Sequence, residues 1–400
     1  MDFRLTDEQR QIEEMVRGLS RKEFAPRAAQ VDDESRYPAE NHRRLAGLGL
    51  LGMLYPASFG GSETGPVSYT IALREVAGGC ASTGVGMAVT NMTGETIFRF
   101  GNDAQRRRYL PMLSGGKGAG AFALSEPGAG SDAGGLSTFA REDGDGFVLD
   151  GSKVFITNGA HACVTIVMAL TGRSPRKISA FLLEPGTPGF SVGKAERKMG
   201  IKGSDTVSLS FEECRLPKTS MLGASGEGLK IALSALDGGR IGIASQAIGI
   251  ARAALSTATE YAGERRQFGQ AIGIARAALS TATEYAGERR QFGQAIGEFQ
   301  AIRWKLADAA TELDAAQLLT FRAASLKEKG VPYSKEASMA KLFATEAGNR
   351  ACHAAAQVLG GYGYIREYPV ERHLRDIRVT TIYEGTSEIQ RLVISRALCG

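Results

Sequence analysis

The chain carries one glutamate whose neighbours suit proton transfer. Glu384 stands between an aromatic residue and a glycine in Ile382-Tyr383-Glu384-Gly385-Thr386-Ser387-Glu388-Ile389-Gln390-Arg391. A carboxylate so placed can be partly desolvated, which raises its basicity, while the glycine lets the backbone approach a substrate. Thr386 or Ser387 equally reads as a helix N-cap, with the acidic residues favoured by the helix dipole. Both readings can hold at once. Upstream, Phe122-Ala-Leu124-Ser125-Glu-Pro-Gly-Ala-Gly130-Ser131-Asp132 offers glycines that leave N–H groups open to anions or heteroatoms, with two serine hydroxyls beside them. Taken alone it is also what a plain interdomain turn looks like. Lys153-Val-Phe155-Ile156-Thr157-Asn158-Gly159 reads as a strand with a polar, glycine-terminated end, and Gln357-Val-Leu-Gly360-Gly361-Tyr-Gly363 with Arg375-Asp376 completes the set.

These residues need elements to position them. Up to about residue 118 the pattern is helical, opening with Thr6 and Gln9 at capping-box spacing ahead of Ile12, Met15, Val16 and Leu19. From about 119 to 225 it turns to strands: Thr206, Ser208 and Ser210 alternate with Val207, Leu209 and Phe211, and VTIVMAL and ISAFLLEP are short apolar runs bounded by turn residues. The expectation there is a small β-barrel or sandwich. From 226 to 400 the sequence is Ala-rich and helix-periodic, as in a packed bundle. The predicted class is α+β, with domains at 1–118, 119–225 and 226–400.

Composition narrows the function. With 43% hydrophobic and 23% charged residues the chain is globular, and its 48 basic and 43 acidic residues are interspersed, so no basic arm points to nucleic acid. Five well-separated cysteines form no C-x-x-C pair, which argues against a disulfide framework or a zinc site, and no metal is expected. No apolar run approaches the roughly 18 residues of a membrane span. The start MDFRLTDEQRQ is too acidic for a targeting segment, so a cytoplasmic, bacterial location is expected.

The segment Ile248–Ala271 (IGIARAALSTATEYAGERRQFGQA) is followed at once by the identical 24 residues at Ile272–Ala295. Two identical copies are a single duplication, not a solenoid, which needs stacked and diverged repeats. QAIG recurs at 246–249, 270–273 and 294–297, so a misaligned exchange between two such sites explains the insertion into a 376-residue parent. Continuing one helix through the added residues would turn everything downstream by about 240° and displace it by about 36 Å. The expectation is that about 24 residues between the two anchored ends are extruded.

Together FALSEPGAGSD, KVFITNG, ERRQFG, QVLGGYGY and IYEGTSEIQR occur in the order and approximate spacing of the acyl-CoA dehydrogenase family, which this chain resembles over nearly its whole length. GRIGIASQAIGIA at 239–251 is similar to its short-chain, butyryl-type branch. The resemblance implies a helical domain, a β domain and a four-helix domain, with FAD between the last two. It implies that Phe122, Leu124, Ser125, Gly130, Ser131, Phe155, Ile156 and Thr157 hold the flavin ring. Arg289, Phe292, Gln300, Gln357, Gly360 and Gly361 would reach a cofactor across a subunit interface, in a homotetramer built as a dimer of dimers. Arg265 and Phe268 are the displaced twins of Arg289 and Phe292. Thr386 and Glu388 would sit near the pyrophosphate and ribityl parts. Asp237 and Arg240 would meet CoA or the pocket entry, Ser131 the pantetheine and Gly385 the substrate. Glu384 would be the base that removes the α proton of an acyl-CoA. Some relatives carry the base just before the arginine of G-R-I-G, and here that residue is Gly239. The implied reaction is α,β-dehydrogenation of short acyl-CoA thioesters, with electrons passed to an electron-transferring flavoprotein. An oxidase or carrier-protein acyl dehydrogenase of the same fold, or a silent flavin-bearing scaffold that binds nucleic acid, stays open.

Deleting Ile272–Ala295 is expected to leave FAD content, oligomer size and turnover at least as high as in the 400-residue chain. A 376-residue protein that bound less flavin or failed to assemble would make the second copy an integral part of the fold.

Overall fold

The structure is a computed structural model that describes residues 4–264, 290–291, 294–295 and 300–399. The N-terminal region is helical. Helix α1 (Asp7–Leu19) opens with the expected capping box, the Gln9 N–H donating to Thr6 Oγ1 at 3.2 Å and the Thr6 N–H to Gln9 Oε1 at 3.0 Å. It leads through one π-type turn into α2 (Ala25–Asp33), followed by α3 (Ala39–Gly47), α4 (Gly65–Gly79), α5 (Ala81–Phe100) and α6 (Asp103–Ser114). Helices α4 and α5 are buried along most of their length, which is why their apolar residues show little amphipathic contrast.

The middle region is an eight-stranded mixed sheet in the order β6-β7-β3-β2-β4-β5-β8, with β1 pairing parallel to β4. Its strands are β1 (Ala119–Ala123), β2 (Phe139–Asp143), β3 (Gly146–Thr157), β4 (Ala162–Arg173), β5 (Arg176–Leu183), β6 (Phe190–Val192), β7 (Thr206–Pro217) and β8 (Met221–Leu222). Val167 and Ala169 of β4 join Phe147, Phe181, Leu209 and Phe211 in one core, while Val164, Ile166 and Met168 face a second core shared with Leu110, Leu113 and Ile231 of the helices. With both faces of β4 covered, its sequence is continuously apolar. In β7, where one face is more open, the predicted alternation holds.

The C-terminal region is dominated by α7 (Gly228–Glu264), which packs against α4, α5, α8 (Gln300–Glu328) and α9 (Ser334–Leu359). Helices α10 (Val370–Arg378) and α11 (Ser387–Cys399) flank the Glu384 segment. The first copy of the duplicated segment continues α7 as far as Glu264, burying Ile248, Ala251, Ala254 and Ala258. Of the second copy, Arg290–Gln291 and Gln294–Ala295 form a short antiparallel pair, β9 and β10. The fate expected for the remaining inserted residues lies outside the described residues.

Two charged contacts fasten the chain, and the first joins the regions. Arg375 of α10 donates to both carboxylate oxygens of Asp32 at 3.1 and 2.7 Å and to the Met199 carbonyl at 3.1 Å. Its neighbour Asp376 accepts the Ile201 N–H at 2.5 Å, and burial lifts its carboxyl to about 6. The second contact is local to the sheet. Lys153 is wholly buried and donates to Glu126 Oε1 at 2.7 Å and to the Leu124 carbonyl at 3.1 Å. Burial by itself would raise the Glu126 carboxyl. Hydrogen bonds from Lys153, Ser137 and Thr138 outweigh that and bring it down to about 2. The 122–131 loop is thus pinned to β3.

Removing one partner of a buried pair strands the other, at a cost of about 3–5 kcal/mol. Lys153→Met is therefore expected to lower the urea midpoint and the retained flavin together. The double variant Glu126→Gln, Lys153→Met should recover part of the loss, because no charge is left unpaired. A single variant as stable as the parent would show that the pair does not hold the loop.

Candidate active site

Glu384 lies in the turn between α10 and α11, with φ of 54° followed by φ of 85° at Gly385. A left-handed conformation is uncommon for a residue with a side chain and requires support from its surroundings. Here the support comes from two side chains. Lys341 of α9 donates to the Gly385 carbonyl at 2.7 Å, and Gln390 of α11 donates to the carbonyls of Gly385 at 2.8 Å and Glu384 at 3.1 Å. Tyr383 is tied to α7 by a hydrogen bond from its hydroxyl to Gln246 Oε1.

The carboxylate itself is left unsatisfied. Although Glu384 as a residue is half-buried, its Oε2 is closed to solvent and has no hydrogen-bond partner. Burial pushes its carboxyl up to about 7, against the opposing charges of Arg240 and Lys341. The space it occupies is provided by Gly239, where a Cβ would meet Glu384 Oε2 at 2.6 Å, its Cδ at 2.9 Å and Met92 Sδ at 3.1 Å. Around it runs an apolar cluster of Val85, Val89, Met92, Ile201 and Ala235, flanked by Phe122, Val379 and Tyr383. This wall brings α5, α7, the first strand of the sheet and the Glu384 turn together. An apolar chain with an acidic C–H fits such a surrounding.

The other sequence-selected residues fall into three groups. Phe122, Leu124, Ser125, Gly130, Ser131, Phe155, Ile156 and Thr157 lie on β1, the loop that follows it and the end of β3: the Val154 N–H donates to the Ser125 carbonyl at 2.9 Å, Phe122 and Leu124 pack on the core shared with the helices, and Ile156 packs on the core of the sheet. Phe155 has φ of 59° and is 69% exposed, within a register irregularity of the β3–β7 ladder. Phe155 is a strained, exposed aromatic, and at Gly128 and Gly130 a Cβ would find open space; a planar ring ligand calls for both. The residues present therefore fit a flavin. Asp237 and Arg240 form the second group. They pair with each other, Asp237 also accepts from Ser334 Oγ at 2.9 Å, and burial raises the Asp237 carboxyl. Arg240 is 4% exposed, with a buried Nε that has no partner. The third group, Gln300, Gln357, Gly360 and Gly361, is exposed. Among the described residues, no side-chain hydrogen bond joins it to the neighbourhood of Glu384. Thr386 is half-buried, its Oγ1 accepting the Ile389 N–H at 3.4 Å in the N-cap manner, and Glu388 is exposed. Arg289, Phe292, Arg265 and Phe268 lie outside the described residues.

Sequence reasoning passed over Lys341, Gln390 and the Glu126–Lys153 pair. A lysine in the Ala-rich stretch SMAKLFATEA carries no local mark of burial. Asn158 was noted only as a strand end. It stands at φ of 64° and donates to the carbonyls of Gly86 at 3.1 Å and Gly120 at 3.0 Å, fixing the strand end to α5 and β1.

Family models of the acyl-CoA dehydrogenase N-terminal, middle and C-terminal domains match residues 6–117, 121–214 and 226–399, the last in two overlapping pieces, 226–273 and 269–399. The chain belongs to the acyl-CoA dehydrogenase family and is an oxidoreductase of that class. Within it the similarity runs to short-chain members. The mitochondrial short-chain specific acyl-CoA dehydrogenase of Homo sapiens is 48% identical over 382 residues, 95% of this chain and 87% of that protein. The butyryl-CoA dehydrogenase of Megasphaera elsdenii superposes with a TM-score of 0.92 at 40% identity over the whole of both chains. A prolyl acyl carrier protein oxidase superposes at 0.90 with 30% identity, covering 99% of this chain and 100% of its own.

Gly239→Ala is expected to fold normally, because the carboxylate end of Glu384 can swing aside, yet to lose turnover on the order of a hundredfold, the cost of misplacing a reacting group by about 1 Å. Unchanged turnover with the alanine in place would show that the position of this carboxylate is not critical.

Proposed function

We propose that this chain removes the α proton of short-chain acyl-CoA thioesters through Glu384, as half of an FAD-dependent α,β-dehydrogenation that yields the trans-2-enoyl-CoA. The observation that carries this reading is the buried, unbonded Oε2 of Glu384 inside an apolar wall. An ordinary glutamate, near 4.3, is too weak a base for this proton. Desolvation brings Glu384 to about 7, where it is ionised in useful amount at neutral pH and basic enough to act.

FAD, when bound, supplies the acceptor for the β hydride. Its ring would be held by Phe122, Leu124, Ser125, Gly130, Ser131 and Phe155 to Thr157, and its other parts by Thr386 and Glu388. Ser131, Asp237, Arg240 and Gly385 would meet the thioester and its CoA. The exposed Gln300, Gln357, Gly360 and Gly361, with Arg289 and Phe292, would serve a neighbouring subunit. Trp304, Tyr364 and Leu398 are 62%, 88% and 66% exposed, which supports burial of C-terminal surface in a homotetramer. We place the domain boundaries at 118/119 and 225/226, and an electron-transferring flavoprotein as the oxidant of the reduced enzyme. No described helix is long and apolar enough to cross a membrane, and the proposed location is the cytoplasm.

Glu384→Gln should retain FAD and acyl-CoA but lose about 10²–10⁴ of the rate of flavin reduction by butyryl-CoA. In the parent enzyme that rate should rise with pH through about 7, since the carboxyl must be ionised to accept a proton. A variant keeping more than about a tenth of the rate moves the base elsewhere. The same anaerobic assay, run over acyl chains from four to twelve carbons, should favour four to six. Reoxidation faster by oxygen than by an electron-transferring flavoprotein would favour the oxidase reading instead.

A further inference from the structure

Lys341 is unusual by its burial. It lies on α9 with no exposed surface. A lysine ammonium removed from water is costly unless it is paired or fully hydrogen-bonded. The hydrogen bond it makes is to the Gly385 carbonyl at 2.7 Å, and that carbonyl is already served by Gln390. A neutral donor already serves the same carbonyl beside it. What a charged group adds at this place is a field on the neighbouring carboxylate, whose Oε2 has no donor of its own.

The charges facing Glu384 come from every side. Arg240 acts on it from α7 and Lys341 from α9, while Glu346 of α9 and Glu388 of α11 act on Lys341, and Tyr69 of α4 and Tyr383 of the same turn present neutral hydroxyls. Arg240 is also paired with Asp237, and its charge acts on Glu384 alongside that of Lys341. Glu346 accepts from Ser387 Oγ at 2.7 Å. Among the described residues Lys341 forms no ion pair, and its charge acts on Glu384 as well as on Glu346 and Glu388.

We propose that Lys341 is a positioning residue for Glu384, anchored on the Gly385 carbonyl next to it so that its charge, together with that of Arg240, keeps the buried carboxylate in the proton-accepting form. The inference rests on the reading of Glu384 as the base. Burial depresses the lysine itself, to about 8, against the pull of Glu384, so both groups of the pair change charge near neutrality and each depends on the other.

The test uses the FAD-loaded enzyme with Lys341→Met, Lys341→Arg and, as a neutral loosening of the same turn, Gln390→Leu. Two quantities are followed against pH: flavin reduction by butyryl-CoA, and the infrared carboxyl band assigned by its loss in Glu384→Gln. In Lys341→Met both midpoints should move upward by about one unit or more, the effect of removing an opposite charge a few ångströms away. At pH 7 a one-unit move from about 7 lowers the ionised fraction, and the rate, about five-fold. Lys341→Arg should return both midpoints toward the parent values, and Gln390→Leu should slow reduction without moving them. If Lys341→Met does not retain flavin, Lys341→Gln keeps a donor while removing the charge and carries the same test. A Lys341→Met enzyme slowed equally at all pH, with the infrared midpoint unmoved, overturns the proposal. Should Glu384→Gln prove active, the base assignment fails by itself, while the infrared titration still reports whether Lys341 governs that carboxyl.

Discussion

A carboxylate without a hydrogen-bond donor is the constraint around which this molecule is arranged. Charge in an apolar wall is unfavourable, and the ordinary remedy is to provide donors. Glu126 shows the remedy in full: with Lys153, Ser137 and Thr138 as donors it is strongly acidic and serves only to hold a loop. Glu384 is denied donors at Oε2 and given charges at a remove. The two glutamates are the same side chain set to opposite ends of its range by what surrounds it.

Holding so unfavourable a group in one place makes demands on distant parts of the chain. The turn must stay left-handed, which engages α9 through Lys341 and α11 through Gln390. The preceding α10 must not drift, and Arg375 and Asp376 fasten it to Asp32 near the N-terminus and to Met199 and Ile201 after the sheet. The apolar wall is supplied by α5 and α7. Residues from all three regions thus converge on one side chain, and the order of helices, sheet and helices is the scaffold for that convergence.

Much of this was legible in the sequence. The three regions followed from hydrophobic periodicity, because helix and strand repeat differently, and Glu384 followed from its neighbours Tyr383 and Gly385. The β domain expected between 119 and 225 is an eight-stranded mixed sheet, with one face around a core of its own and the other packed on the helices. What stayed hidden were pairings between residues far apart in the chain. Asp32 and Arg375 are separated by most of the protein, and Lys341 stands 43 residues before the carboxylate that it faces. No local pattern marks a lysine as buried, since the same residue on the same helix is ordinarily solvated. Asp237 and Arg240 were each expected at CoA or the pocket entry, and their bond to each other became visible only once α7 brought them onto one face.

Gly239 and Glu384 compete for the same few cubic ångströms, which bears on how such an enzyme can change over generations. A side chain at 239 would enter the space of the glutamate at once. The two positions are therefore alternatives and cannot both be large. With Glu384 as the proposed base, moving that role onto α7 at position 239 would require a form in which both positions are small, and that form would carry no base. Sterics thus set the order in which such changes could be made: the glutamate of the turn has to go before one on α7 can fit.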